Sequence, residues 1–155
     1  MHTDVVSFRT ARPGDVAACV LIRGQTRENA VSEADLNAAG ITREFWAAGV
    51  RDGHFPGVVA EAHGRVVGYC FGAAESGEIV VLALLPDFEG RGAGKALLRR
   101  VMEILRGLGH QRLFLGCNSD PAVRSHGFYR HLGWTSTGQL DKYGDEVLEY
   151  TAEAI

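Results

Sequence analysis

Three cysteines in 155 residues are too few and too scattered for a disulfide framework. Cys19, Cys70 and Cys117 form no Cys-x-x-Cys pair, so zinc and dithiol chemistry have little support. Each lies in an apolar segment, and buried reduced thiols are expected. No apolar run approaches the ~20 residues of a membrane span. Met1–Thr10 lacks the apolar centre of a signal peptide, so a cytoplasmic protein without membrane attachment is expected. There is no lysine- or arginine-rich block, and the formal net charge of −3 argues against nucleic-acid binding. The six histidines show no His-Glu-x-x-His or similar spacing. His126 and His131 diverge on a helix, and no metal is expected. No repeat, low-complexity tract or linker divides the chain. Residues 1–155 read as one domain, long enough for a core that needs no staple. Self-association into a homodimer is left open.

Glycine, by contrast, is plentiful at 20 residues, and its placement is informative. The run from Leu82 to Lys95 reads LALLPDFEGRGAGK. An apolar strand stops at Pro86, a loop with Gly90, Gly92 and Gly94 follows, and the chain enters an amphipathic helix. Such a loop aims unobstructed backbone N–H groups at whatever lies above the helix N-terminus, where the dipole adds partial positive charge. The expected ligand is a phosphate. A P-loop would need glycine where Glu89 stands and Ser or Thr where Ala96 stands. A dinucleotide fingerprint would need glycine at Lys95 or at Leu97. Both fail.

Around this loop the sequence predicts strand Val5–Thr10, a helix over Val16–Arg23 capped by Asp15, a helical turn near Ala34–Ala38, and a helix Arg43–Val50 capped by Thr42. Three β-rich runs with tight connections follow: Gly57–Ala62, Val66–Ala74 and Ile79–Leu85. Helix Gly94–Arg106 should bury Leu97, Leu98, Val101, Met102 and Leu105. Strand Arg112–Cys117 must return parallel to the strand before that helix. A helix starting at Asp120–Pro121 should run to about Leu132, and Trp134–Leu140 with Glu146–Thr151 should form a last hairpin. The fold class is α+β: an α/β sandwich with a mixed, mostly antiparallel central sheet flanked by helices.

The segment Glu89–Gly94, EGRGAG, resembles the pyrophosphate loop Gln/Arg-x-x-Gly-x-Gly/Ala of the GCN5-related N-acetyltransferase superfamily. Leu-Ala-Leu-Leu-Pro just before it matches that family's strand 4. Gly127–Trp134, GFYRHLGW, resembles its C-terminal Phe/Leu-Tyr-x-x-Leu-Gly-Phe/Trp element. The resemblance implies an N-acetyltransferase fold and direct attack of a primary amine on acetyl-CoA in a ternary complex. It implies that the backbone of Leu82, Ala83 and Leu84 pairs with the pantetheine arm as an added strand. Glu89, Gly90, Arg91, Gly92, Ala93, Gly94 and Lys95 would surround the pyrophosphate, with N–H donors from about Arg91 to Lys95. Arg91, Lys95 or Arg99 would neutralise phosphates. Tyr129 would protonate the leaving CoA thiolate, since a phenol of pKa ~10 keeps its proton at neutral pH.

The chain departs from the family pattern in two places. Glu89 stands where Gln or Arg is usual, and its carboxylate is expected to turn outward to solvent. Ala122 replaces the asparagine seven residues before the tyrosine; Asn118 lies too early to take that role, which is either lost or taken by Ser125 or the backbone. Gly127 within the helix implies either close approach of the cofactor or tight packing on the sheet. For the general base, Glu78 at the start of strand 4 and Glu75 at the end of strand 3 are candidates, with Glu78 preferred. Asp141 and Tyr143 would border the acceptor site. Arg27, Glu28, Asn29, Phe45 and Trp46 are specificity candidates, though adjacent Phe45 and Trp46 are more often core. The amine itself is not named by the sequence. The rival reading is a non-catalytic acyl-CoA-binding or sensing module, and a different acyl group stays open.

Overall fold

The structure, a computed structural model, describes residues 5–151. Strands β1 (Ser7–Thr10), β2 (Gly57–Ala62), β3 (Arg65–Gly72) and β4 (Ile79–Leu84) form an antiparallel sheet in that order. Strands β5 (Arg112–Cys117), β6 (Thr135–Leu140) and β7 (Glu146–Thr151) form a second antiparallel sheet with β7 in the middle. The sequence predicts one mixed sheet. The structure instead splits it: β4 and β5 run parallel and meet at a single bridge, Glu78 with Phe114. Beyond that bridge the two strands part.

The helices are α1 (Val16–Arg23), α2 (Glu33–Ala38), α3 (Arg43–Asp52), α4 (Ala93–Gly107) and α5 (Arg124–His131). Two apolar layers result. One holds α4 against the sheets: Leu97, Leu98, Val101, Met102 and Leu105 are all buried with Val58, Ala60, Leu113, Leu115 and Leu148. That is the face the 3.6-residue spacing predicts. The other layer places α1 and α3 on the opposite face of the first sheet, with Val16, Cys19, Val20 and Trp46 against Val59, Tyr69 and Phe71. All three cysteines are buried and unpaired.

Side-chain caps fix the starts of α2 and α3. Ser32 and Thr42 accept the N–H groups of Asp35 and Phe45 at 3.1 and 3.0 Å. Asp15 acts one turn earlier than predicted. Its carboxylate reaches back to the Arg12 N–H at 2.7 Å and takes two N–H bonds from Arg9 at 2.8 Å each. Helix α5 also differs: Asp120 and Pro121 make a turn, with the Asp120 Oδ1 accepting the Ala122 N–H at 2.9 Å, and the helix begins at Arg124.

β4 carries a bulge. Phe71 pairs with Val81 and Gly72 with Ile79, so Val80 is the extra residue. The bulge shifts which side chains face which layer, and it leaves Val80 47 % exposed.

Candidate active site

The gap between β4 and β5 is a cleft of about 970 Å³. Its walls are Ile79–Leu84 on one side, and Leu115, Gly116 and Asn118 on the other. One end is closed by Gly90, Gly92, Gly94 and Lys95, and Phe128 and Tyr129 of α5 also line it. The elements that the sequence singles out thus converge on one cavity.

At the loop end the backbone is arranged for an anion. Gly90 and Gly92 have φ of 74° and 83°, a region that a side chain rarely tolerates. A Cβ at either would meet nothing within 4 Å, so the loop faces open space. Gly92 is the N-cap of α4, and Ala96 is the first helix N–H to find a backbone acceptor, the Gly92 carbonyl at 3.1 Å. The N–H groups of Ala93, Gly94 and Lys95 therefore point out of the helix end. Gly94 has a different task from the other two glycines. Its φ is ordinary, and a Cβ there would sit 3.3 Å from Leu84 and 3.6 Å from Phe128. It lets α4, β4 and α5 meet closely.

Glu89 does not turn outward as predicted. Its side chain is 14 % exposed, and Oε2 accepts from Arg27 Nε at 3.0 Å and from Arg124 Nη1 at 2.8 Å. Glu28 accepts the Arg124 backbone N–H at 2.9 Å and so caps α5 from a loop 96 residues away in sequence. The loop after α1, the glycine loop and the α5 N-terminus are tied at one point. Arg91 lies over the Phe88 ring at 5.3 Å, and Lys95 lies in the cleft wall. Arg99 is exposed and outside the wall.

Along the cleft, β4 offers its backbone. Its β3 edge is paired from Ile79 to Leu84 except at the bulge residue Val80, while its other edge makes only the Glu78–Phe114 bridge among the described residues. Alternate residues of a strand bond to opposite edges. Leu85 bonds Val67 of β3, so Ala83 also turns its main-chain groups to β3 and Leu82 and Leu84 turn theirs to the cavity, while the three side chains alternate between the two apolar layers.

Tyr129 sits against Trp134 and Phe128, with ring centroids 6.0 and 5.1 Å away. Burial pushes its phenol well above the ordinary value, so the proton stays on at any physiological pH. Gly127 has open space around its Cβ position, which removes tight packing as the reason for a glycine there.

At the other end, Glu78 is half-buried where the two sheets touch. Burial, and then the neighbouring Asp141 carboxylate, raise its proton affinity. It flanks the cleft wall at Ile79 and is not itself a wall residue. Asp145, missed by the sequence reading, does line the cleft, and burial followed by Asp141 raises its proton affinity too. Asp141 holds the last hairpin by accepting the Tyr143 and Asp145 N–H groups at 2.8 and 3.0 Å. Tyr143 is 74 % exposed, and Glu75 lies in the exposed turn before β4. Asn118, Arg124 and Ser125 are further wall residues. Asn118 spends Oδ1 on the Asp120 N–H at 2.9 Å, and Ser125 accepts the Cys117 thiol at 3.7 Å. Nothing in the local sequence announces Asp145. Its signal is the β5–β7 register, in which Cys117 pairs with Glu146, placing it across from Asn118.

A profile of the acetyltransferase (GNAT) family matches residues 19–134, three quarters of the chain and the whole of the loop just described. The chain belongs to the GNAT acetyltransferase family. Among curated relatives, mycothiol acetyltransferase of Beutenbergia cavernae is 38 % identical over 71 residues, 46 % of this chain and 24 % of that protein. An uncharacterised N-acetyltransferase of Mycobacterium tuberculosis is 33 % identical over 84 residues, 52 % of this chain and 53 % of that one. The chain thus aligns with a quarter to a half of the length of these relatives. Among solved structures, PaiA N-acetyltransferase of Thermoplasma acidophilum in complex with coenzyme A superposes with a TM-score of 0.78. The match spans 95 % of this chain and 99 % of that one at 17 % identity. YncA of Salmonella typhimurium with its cofactor acetyl-CoA gives 0.71 at 21 % identity, over 97 % and 96 % of the two chains. At such identities the likeness establishes the GNAT fold. No helix among the described residues is long and apolar enough to cross a membrane, and none of their His, Cys, Asp and Glu side chains cluster in a way that could hold a metal ion.

Proposed function

We propose that this chain transfers the acetyl group of acetyl-CoA to a primary amine of a small molecule or peptide, by direct attack in a ternary complex. The observation that carries this is the cleft: it leads from outward-pointing helix amides, along an unpaired strand edge, to a half-buried phenol that keeps its proton. Each stretch suits one part of acetyl-CoA. The amides of Gly92 to Lys95 suit the pyrophosphate, and the β4 edge suits the amide-bearing pantetheine arm.

The chemistry then balances as follows. The amine nitrogen bonds to the thioester carbonyl carbon, and the carbon–sulfur bond breaks. Tyr129 gives its proton to the departing thiolate sulfur. Glu78, directly or through water, accepts the proton that the amine nitrogen loses. A carboxylate whose proton affinity is raised is a better base at neutral pH than an ordinary one.

Two experiments test this. Calorimetry should detect CoA binding to the wild type and none to Gly92→Asp, whose side chain would bring a negative charge to the anion site. Equal binding by both would remove the loop from the site. Thiol release from acetyl-CoA with an amine panel separates an enzyme from an acyl-CoA-binding module, the reading that the Glu89 carboxylate and Ala122 keep in play.

A further inference from the structure

A second cavity of about 200 Å³ opens beside the cleft, between the helical layer and the start of β4. Leu36, Ile41, Phe45, Trp46, Phe55 and Phe71 line it. The cavity and the cleft share Arg23, Val80 and Val81 as common wall. Val80 is the bulge residue, turned out of both core layers and 47 % exposed. Phe45, a specificity candidate in the sequence although such an adjacent pair is more often core, is 53 % exposed and stands on the rim. Trp46 is core and pocket wall together, edge-on to Phe71 at 5.3 Å.

Three observations decide what belongs there. The cavity is apolar apart from Arg23, whose guanidinium donates to the Asn29 carbonyl. A dry apolar cavity of about 150 Å³ accepts benzene, so this one has room for a phenyl ring or a branched alkyl chain. Its connection is to the β4 segment, beside which the thioester end of the cosubstrate would lie. A group seated in it is thereby joined to whatever attacks the thioester.

Resting on the proposed acetyl transfer, we infer that the acceptor is an amine bearing an apolar group of phenyl or branched-alkyl size, held between Phe45, Trp46 and Val80. A single methylene in such a pocket already changes kcat/KM by about tenfold or more. Acetyl-CoA-dependent thiol release is measured with phenethylamine, 3-methylbutylamine, ethylamine and putrescine. The first two should exceed the last two in kcat/KM by at least about tenfold. Phe45→Asp, at a half-exposed position, should erase that preference while acetyl-CoA affinity by calorimetry stays unchanged. Equal turnover of all four amines, a preference for putrescine, or acetyl-CoA binding with no thiol release from any of them overturns the inference and leaves cosubstrate binding standing. A protein that fails to bind acetyl-CoA at all would instead sink the acetyl-transfer reading beneath it. If Phe45→Asp does not fold, the wild-type amine series still decides.

Discussion

In the proposed transfer Tyr129 and Glu78 have opposite tasks, and their surroundings push them the right way. Burial keeps the tyrosine protonated, as a donor must be. Burial and Asp141 make the carboxylate hold a proton more readily, as an acceptor must. Tyr129→Phe should lower kcat by about 10²–10⁴-fold with acetyl-CoA affinity unchanged, measured under chemistry-limited conditions. As the proposed base, Glu78 would act only when deprotonated, so activity should fall as pH drops through a value above its ordinary 4.5. That acid limb should vanish in Glu78→Gln along with most of the turnover. The stability sign is the reverse. A raised carboxylate pKa means the native state resists the charged form, a cost present at neutral pH and relieved as pH falls. Glu78→Gln should therefore unfold at an equal or higher temperature than the wild type at pH 7. Glu89 poses the residue-scale question that the sequence could not answer. Its carboxylate looked misplaced beside a phosphate loop because the partners Arg27 and Arg124 are 62 and 35 residues away. Two guanidinium groups around one carboxylate leave a net positive charge for an anion to meet. Glu89→Gln removes the negative charge, so CoA should bind no more weakly in low salt, with a steeper loss of affinity as salt is added.

Elements announced themselves where local chemistry sufficed. The stripe of leucines in α4, the Thr42 cap and the tight turns of the meander all act within a few residues, and each element lies where its pattern puts it. Boundaries set by distant groups did not. The start of α5 moves to Arg124 because Glu28 supplies the acceptor, leaving Asp120 and Pro121 in a turn. Asp15 was legible as a cap but not as a knot. It binds Arg9 of β1 and the Arg12 N–H, while Arg9 Nε also reaches Glu61 of β2 at 2.8 Å. The hydrogen bonds from Arg9, partly opposed by burial, hold the Asp15 carboxyl below its ordinary 3.8. A lowered carboxylate pKa contributes stability that is complete above the unfolded value and is lost as pH falls through the folded one. Asp15→Asn should thus cost about 1–3 kcal/mol in urea unfolding at pH 7, with the difference from wild type shrinking as pH falls below the ordinary 3.8.

At the scale of the whole molecule, the parted sheets are what the sequence concealed most completely. A parallel return of β5 was predictable from the crossover through α4; that it would touch β4 at one residue pair was not, because strand propensity says nothing of neighbours. The Val80 bulge was hidden for the same reason, since only the partner strand reveals an extra residue. A ligand lying along β4 would supply the missing partner. CoA at a hundredfold excess over its Kd should stabilise the fold by about 2.7 kcal/mol. Hydrogen exchange should slow in the 80–84 and 91–95 segments, with smaller changes in β1 and β6, which lie far from the gap. Slowing confined to the surface turns would contradict the placement along β4.

The bridge between Glu78 and Phe114 has one more implication. Like the rivet of a pair of compasses, it fixes where the two arms join, and the carboxylate proposed as proton acceptor is mounted on the rivet itself. Substitutions at the far tips of the two strands would widen the jaws for a bulkier guest and leave that joint, and the carboxylate on it, in place.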